Sequence, residues 1–123
     1  MIEAVLIGHC GLGRSMDWPG YILPGLVDIH VHGAGGRSFN EDSVASWESI
    51  LALHRANGTT AAVATLAAAT WPELADAMNV GHSLAADEAP VLAGMHLEGP
   101  YLSPTYRGAH GPGVLTTPAD EMW

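Results

Sequence analysis

PGLVDIHVHGAGG, residues Pro24 to Gly36, places two histidines one residue apart at the end of an apolar run and follows them with four small residues. The run from Gly25 to His32 is β-branched and nearly continuously apolar, the pattern of a parallel strand covered on both faces. Pro24 and Gly25 mark where it opens, and Gly33, Gly35 and Gly36 where it closes. Side chains alternate along a strand, so Asp28, His30 and His32 share one face and the two imidazoles converge near its carboxyl end. Imidazole nitrogen suits a borderline divalent metal such as zinc, and the glycines that follow let backbone approach an ion or substrate closely. Read as ordinary histidines instead, both would need a polar partner on an otherwise apolar face.

Outward from this strand the pattern repeats. A helix is expected from about Ser43 to Asn57, with Asp42 or Ser43 as N-cap, an apolar stripe of Val44, Trp47, Ile50 and Leu51, and Gly58 just past its end. TTAAVATLA, Thr59 to Ala67, reads as a second strand. A second helix opens on TWPE, where Thr70 and Glu73 form a capping box with Pro72 in the first turn, and it ends near Ala86. PVLAGMHLE, Pro90 to Glu98, is the third strand, and a Gly- and Pro-rich loop follows. The order β-α-β-α-β implies right-handed crossovers and a parallel sheet, in which ligand chemistry gathers at the carboxyl ends of the strands. The third strand repeats the device of the first: His96 and Glu98 lie on one face, and Glu98 stands at the rim, where a carboxylate can ligate the same ion or bridge two. Taken alone, Glu98 also reads as a loop anchor; placed at the same rim as the histidine pair, the site reading gains.

Composition narrows the function classes. The chain has 123 residues, 48% of them hydrophobic, enough for one modest core. Its four basic residues are all arginine and its formal charge is -9, which disfavours a nucleic-acid partner. Cys10 alone cannot form an internal disulfide, and no secretory signal pattern precedes it, so a cytoplasmic protein is expected. The longest small apolar stretch, Ala61 to Ala69, is about half of the roughly 20 residues a membrane span needs. His54 and His82 fall on helices away from the strand tips. His9 and Cys10 diverge on an extended chain, and the GLG of Gly11 to Gly13 lacks the rest of a dinucleotide fingerprint.

PGLVDIHVHGAGG resembles the first-strand motif of the amidohydrolase superfamily, and MHLEGPYLSPTYRGAH resembles the third-strand segment of its N-acetylglucosamine-6-phosphate deacetylase branch. The first motif is shared widely in the superfamily; the second is particular to the branch. The resemblance covers roughly Pro24 to Pro112. It implies an α/β fold, a partial (β/α)8 TIM barrel made of the first three parallel strands and two helices, with residues 1–23 as a shortened N-terminal β-segment and 24–123 as the first part of the barrel. It implies metal-dependent hydrolysis of the acetamide of N-acetylglucosamine 6-phosphate to glucosamine 6-phosphate and acetate, in amino-sugar catabolism. Carried over by position, Glu98 matches the principal metal-binding glutamate. His30 and His32 match a pair that permits a second ion, so one or two divalent ions, zinc by expectation, are implied. Ala109 and His110 match positions lining the amino-sugar pocket, Arg107 falls where the family tends to be basic and reads as a solvated loop charge ahead of a role near the anionic substrate, and His96 packs beneath the metal.

The general base, an aspartate in the family, is expected beyond Trp123, so no catalytic residue is assigned. Relatives that bridge two metals with a carboxylated lysine find none here, which leaves Glu98 for any bridging role. A small-molecule amino-sugar phosphate is the expected partner, with no nucleic acid and no membrane, and the family tends to homo-oligomerise. The alternatives are a non-catalytic metal-binding remnant or subunit of a truncated amidohydrolase, and an acetylated amino-acid deacylase.

Overall fold

The structure is a computed structural model that describes residues 23–86 and 91–118. The N-terminal β-segment expected over 1–23, apart from Leu23, lies outside the described residues, as do His9, Cys10 and the GLG stretch.

Strand β1 spans Leu26–Val31, a short hairpin pairs β2 (Gly33–Ala34) with β3 (Arg37–Ser38), and helix α1 spans Val44–Ala56. Then come strand β4 (Thr59–Ala67), helix α2 (Trp71–Ala86), strand β5 (Leu92–Glu98) and a 3-10 turn at Pro112–Val114. The main sheet has the order β1-β4-β5, and both of its pairings are parallel. The fold class, the three parallel strands and the two helices therefore agree with the sequence. The β2–β3 hairpin and the 3-10 turn do not appear in that reading.

Local chemistry accounts for the helix ends. Ser43, extended at φ -155°, caps α1 by accepting the Ser46 N–H, and Asn57 closes it before Gly58 turns into the left-handed region at φ +94°. At α2, Glu73 accepts both the Thr70 N–H at 2.9 Å and the Thr70 hydroxyl at 2.6 Å. Glu73's half of the capping box is thus formed, while Thr70 donates to Glu73. These bonds, the hydroxyl's foremost, hold the Glu73 carboxyl below its ordinary value.

Both helices pack on one face of β4. Ala62, Ala64 and Leu66 are fully buried there, against Trp47, Ile50 and Leu51 of α1 and Leu74, Ala77, Val80 and Leu84 of α2. The two alanines leave room for the helices to come close, and Gly81 does the same on α2: a Cβ there would lie 2.3 Å from Met95 Sδ and 2.8 Å from the Trp47 ring. Phe39, after the hairpin, is fully buried with its ring edge-on to Trp47 at 4.7 Å.

Two expectations are corrected. The strand β1 is not covered on both faces: Val27 is 68% and Ile29 73% exposed, because α1 and α2 lie over β4 and only Val31 of β1 packs against the core. Val44, assigned to the apolar stripe of α1, is 45% exposed at the start of the helix. No helix among the described residues is long and apolar enough to cross a membrane.

Candidate metal centre

Register decides what meets at the rim. Val31 pairs with Ala64 on one side of β4, and Ala67 pairs with Glu98 on the other, so the ends of β1 and β5 flank the last residues of β4. His30 and His32 do share a face, and they meet Glu98 across it. His32 Nε2 lies 3.0 Å from Glu98 Oε2, His30 Nε2 lies 3.5 Å from the same oxygen, and the two Nε2 atoms are 3.2 Å apart. The three form the group of potential ligands found among the described residues. Asp28, on the same face of β1, instead turns its Oδ1 back to accept the His30 N–H at 3.1 Å.

Whether a metal fits can be judged from two features. A tetrahedral ion with bonds of about 2.0–2.1 Å needs ligand atoms about 3.3–3.4 Å apart. The three spacings bracket that value. The second feature is the tautomer of His32. Its Nδ1 lies 3.1 Å from the Thr65 carbonyl oxygen, which can only accept, so Nδ1 carries the proton and Nε2 presents a bare lone pair. That lone pair faces a carboxylate oxygen at 3.0 Å. Two acceptors this close repel unless a cation or an added proton lies between them, and a divalent ion supplies the cation.

Glu98 is held in its ionised form. Burial is the largest single influence and opposes ionisation, but the hydrogen bond from His110 and the attraction that His110, His32 and His30 exert when protonated together outweigh it and keep the carboxyl below its ordinary value. His110 comes from the loop after β5, with Nε2 3.5 Å from Glu98 Oε1. His96 sits beside the cluster, its ring centroid 5.3 Å from that of His30 and its Nδ1 3.4 Å from the Thr65 hydroxyl. The chain turns directly after Glu98: Gly99 has φ +92°, and a Cβ there would fall 2.8 Å from the Cβ of Ala68, so the turn needs glycine.

A cavity of about 540 Å³ opens beside these groups, lined in part by His32, Asn40, Glu98, Arg107, Ala109 and His110. Ala109 and His110, expected at a sugar pocket, both border it. Arg107, read from sequence as a solvated loop charge, is half-buried and donates from Nη1 to the His110 carbonyl. His82 is exposed, as expected of a helix surface; His54 is half-buried, with Nε2 shut away from solvent and without a hydrogen-bond partner. Asn40, Thr65 and Ala68, which fix the rim through backbone contacts, had no sequence signal.

No family model matches the chain. A curated N-acetylgalactosamine-6-phosphate deacetylase from Shewanella sp. (strain ANA-3) is 30% identical over 105 residues, 85% of this chain and 27% of its own length. An N-acetylglucosamine-6-phosphate deacetylase from Bacillus subtilis is 33% identical over 93 residues, 72% of this chain and 24% of its own. Among solved structures, the N-acetyl-D-glucosamine-6-phosphate deacetylase D267A mutant from Mycobacterium smegmatis, in complex with N-acetyl-D-glucosamine-6-phosphate, matches with a TM-score of 0.69 at 38% identity, over 77% of this chain and 24% of that one. The enzyme of the same name from Pasteurella multocida gives 0.71 at 30%, over 79% and 26%. The chain thus spans about a quarter of the length of the relatives it matches. All of these neighbours are deacetylases of 6-phosphorylated N-acetyl amino sugars, three of the four being N-acetylglucosamine-6-phosphate deacetylases, and the chain is similar to a part of their polypeptide.

Proposed function

We propose that this chain carries the first part of a metal-dependent deacetylase site in a (β/α)8 barrel, acting on the acetamide of N-acetylglucosamine 6-phosphate. In this reading His30, His32 and Glu98 hold one or two divalent ions, zinc by preference. Ala109 and His110 line the pocket for the acetamido sugar. The observation that carries it is the meeting of a bare His32 Nε2 with an ionised Glu98 at 3.0 Å, an arrangement that calls for a cation.

A divalent ion held there would supply Lewis acidity and lower the pKa of a bound water toward about 7. The chain's own residues do the rest of what can be derived. Glu98 brings negative charge, and His32 is oriented through Thr65 so that its lone pair faces inward. The cavity beside them gives the sugar a place within reach of the rim. Cytoplasmic location, a part in amino-sugar catabolism and self-assembly belong to the same reading.

Calorimetric titration of the purified chain with Zn2+ tests the metal reading: saturable, stoichiometric binding is expected, and Glu98→Gln should weaken it at least about tenfold. Equal affinity in the variant would overturn the assignment. Acetate release from N-acetylglucosamine 6-phosphate separates the hydrolase from the alternative of a metal-binding chain without turnover. The corresponding galactosamine compound belongs in the same assay, because one relative bears that sugar's name.

A further inference from the structure

Strand β4 contributes no ligand to the candidate centre, yet its last residues meet two of the three that do, His32 and Glu98. The ladder from β1 ends at the Val31–Ala64 pair. Backbone groups of alternate residues point to the same side of a strand, so the Thr65 carbonyl and both backbone groups of Ala67 face the β1 side beyond that last pair. His32 takes the Thr65 carbonyl through Nδ1 at 3.1 Å. Asn40 takes both groups of Ala67: its Nδ2 donates to the Ala67 carbonyl at 2.9 Å and its Oδ1 accepts the Ala67 N–H at 2.9 Å. The side-chain amide stands in for one residue of a neighbouring strand. On the opposite side, the Ala68 N–H donates to His110 Nδ1 at 3.2 Å.

These contacts fix the two histidines in opposite senses. A carbonyl can only accept, so His32 carries its proton on Nδ1 and leaves Nε2 bare. A peptide N–H can only donate, so His110 has a bare Nδ1 and carries its proton on Nε2, which lies 3.5 Å from Glu98 Oε1. One imidazole is prepared to give a lone pair to a cation and the other to support the carboxylate that shares the load. Both settings depend on where the end of β4 lies, and Asn40 holds Ala67, which lies between Thr65 and Ala68.

We propose that Asn40 is a positioning residue for the metal centre: by clamping both backbone groups of Ala67 it keeps Thr65 and Ala68 where they set complementary tautomers on His32 and His110. This rests on the metal reading above, but its first readout needs no metal. In the metal-free 123-residue chain, under conditions where the 15N shifts show both rings neutral, imidazole 15N NMR should find His32 protonated on Nδ1 and His110 on Nε2. In Asn40→Ala the His32 signal should move toward a mixture of tautomers, and Zn2+ affinity should fall about 10- to 100-fold, the range for loss of a ligand-orienting contact.

Asn40→Asp keeps the acceptor for the Ala67 N–H and loses the donor to its carbonyl, so it should fall between the two. It carries the same comparison if the alanine variant does not fold. A wild-type His32 protonated on Nε2 overturns the inference. So does a folded Asn40 variant with unchanged tautomers and an affinity within twofold. Wild-type chain with these tautomers and no Zn2+ binding would defeat the metal reading while leaving the role of Asn40 in setting the rings intact.

Discussion

Glu41 gathers three donors where the hairpin hands over to α1: the Ser46 hydroxyl at 2.6 Å, the Ser38 N–H at 2.9 Å and Arg37 Nη1 at 3.5 Å. The Ser46 hydroxyl, then the Ser38 N–H, do most to hold its carboxyl below the ordinary value of 4.5. A carboxyl whose folded pKa is depressed adds stability that is present above the unfolded value and lost as pH falls through the folded one. Glu41→Gln should therefore lower the thermal midpoint at pH 7, and the gap from wild type should close as pH drops below 4.5. A gap that stays constant down to pH 3 would contradict this. At this scale the sequence spoke clearly where a side chain acts by itself. The alternation of β1 put His30 and His32 together, and the position of Glu98 before a glycine put it at the rim. It was silent on Asn40 and Thr65, because their part is played through the backbone of a neighbouring element that only the fold brings near. Arg107 was misread for the same reason, its partner being the carbonyl of His110 across a turn.

Elements were legible in proportion to how local their causes are. The second strand of the sequence reading coincides with β4, and α1 begins and ends where Ser43 and Gly58 foretold, since caps and β-branched runs act within a few residues. The β2–β3 hairpin, two residues a side, was hidden because so short a pair depends on Phe39 and Trp47 packing beneath it. The cover on β1 was overestimated, because an apolar run says nothing of which neighbours a strand has. That difference is measurable. Leu66→Ala, in the fully buried face of β4, should cost about 2–5 kcal/mol in urea unfolding. Ile29→Lys, at an equally apolar position of the sequence but 73% exposed, should stay within about 0.5 kcal/mol. Similar losses from both would mean that the outer face of β1 is packed after all.

For the whole molecule, the site and the sheet are parts of one problem. Among the described residues β1 and β5 each pair on one side only, and both pair with β4. The candidate ligands come from the two outer strands, His30 and His32 from the end of β1 and Glu98 from the end of β5. An ion shared among them would tie the outer strands together across β4 and draw acceptors that now face each other at 3.0 Å into a common attraction. Binding would then be folding energy as much as preparation for chemistry. With free Zn2+ at a hundredfold its dissociation constant, the chain should gain about 2.7 kcal/mol against unfolding, provided the unfolded chain does not compete for the ion. The gain should appear as a concentration-dependent rise in thermal midpoint. Glu98→Gln, compared with its own metal-free midpoint, should lose most of the rise with metal. If zinc instead stabilises wild type and Glu98→Gln equally, the ion is held elsewhere, and the two outer strands are not joined through this rim.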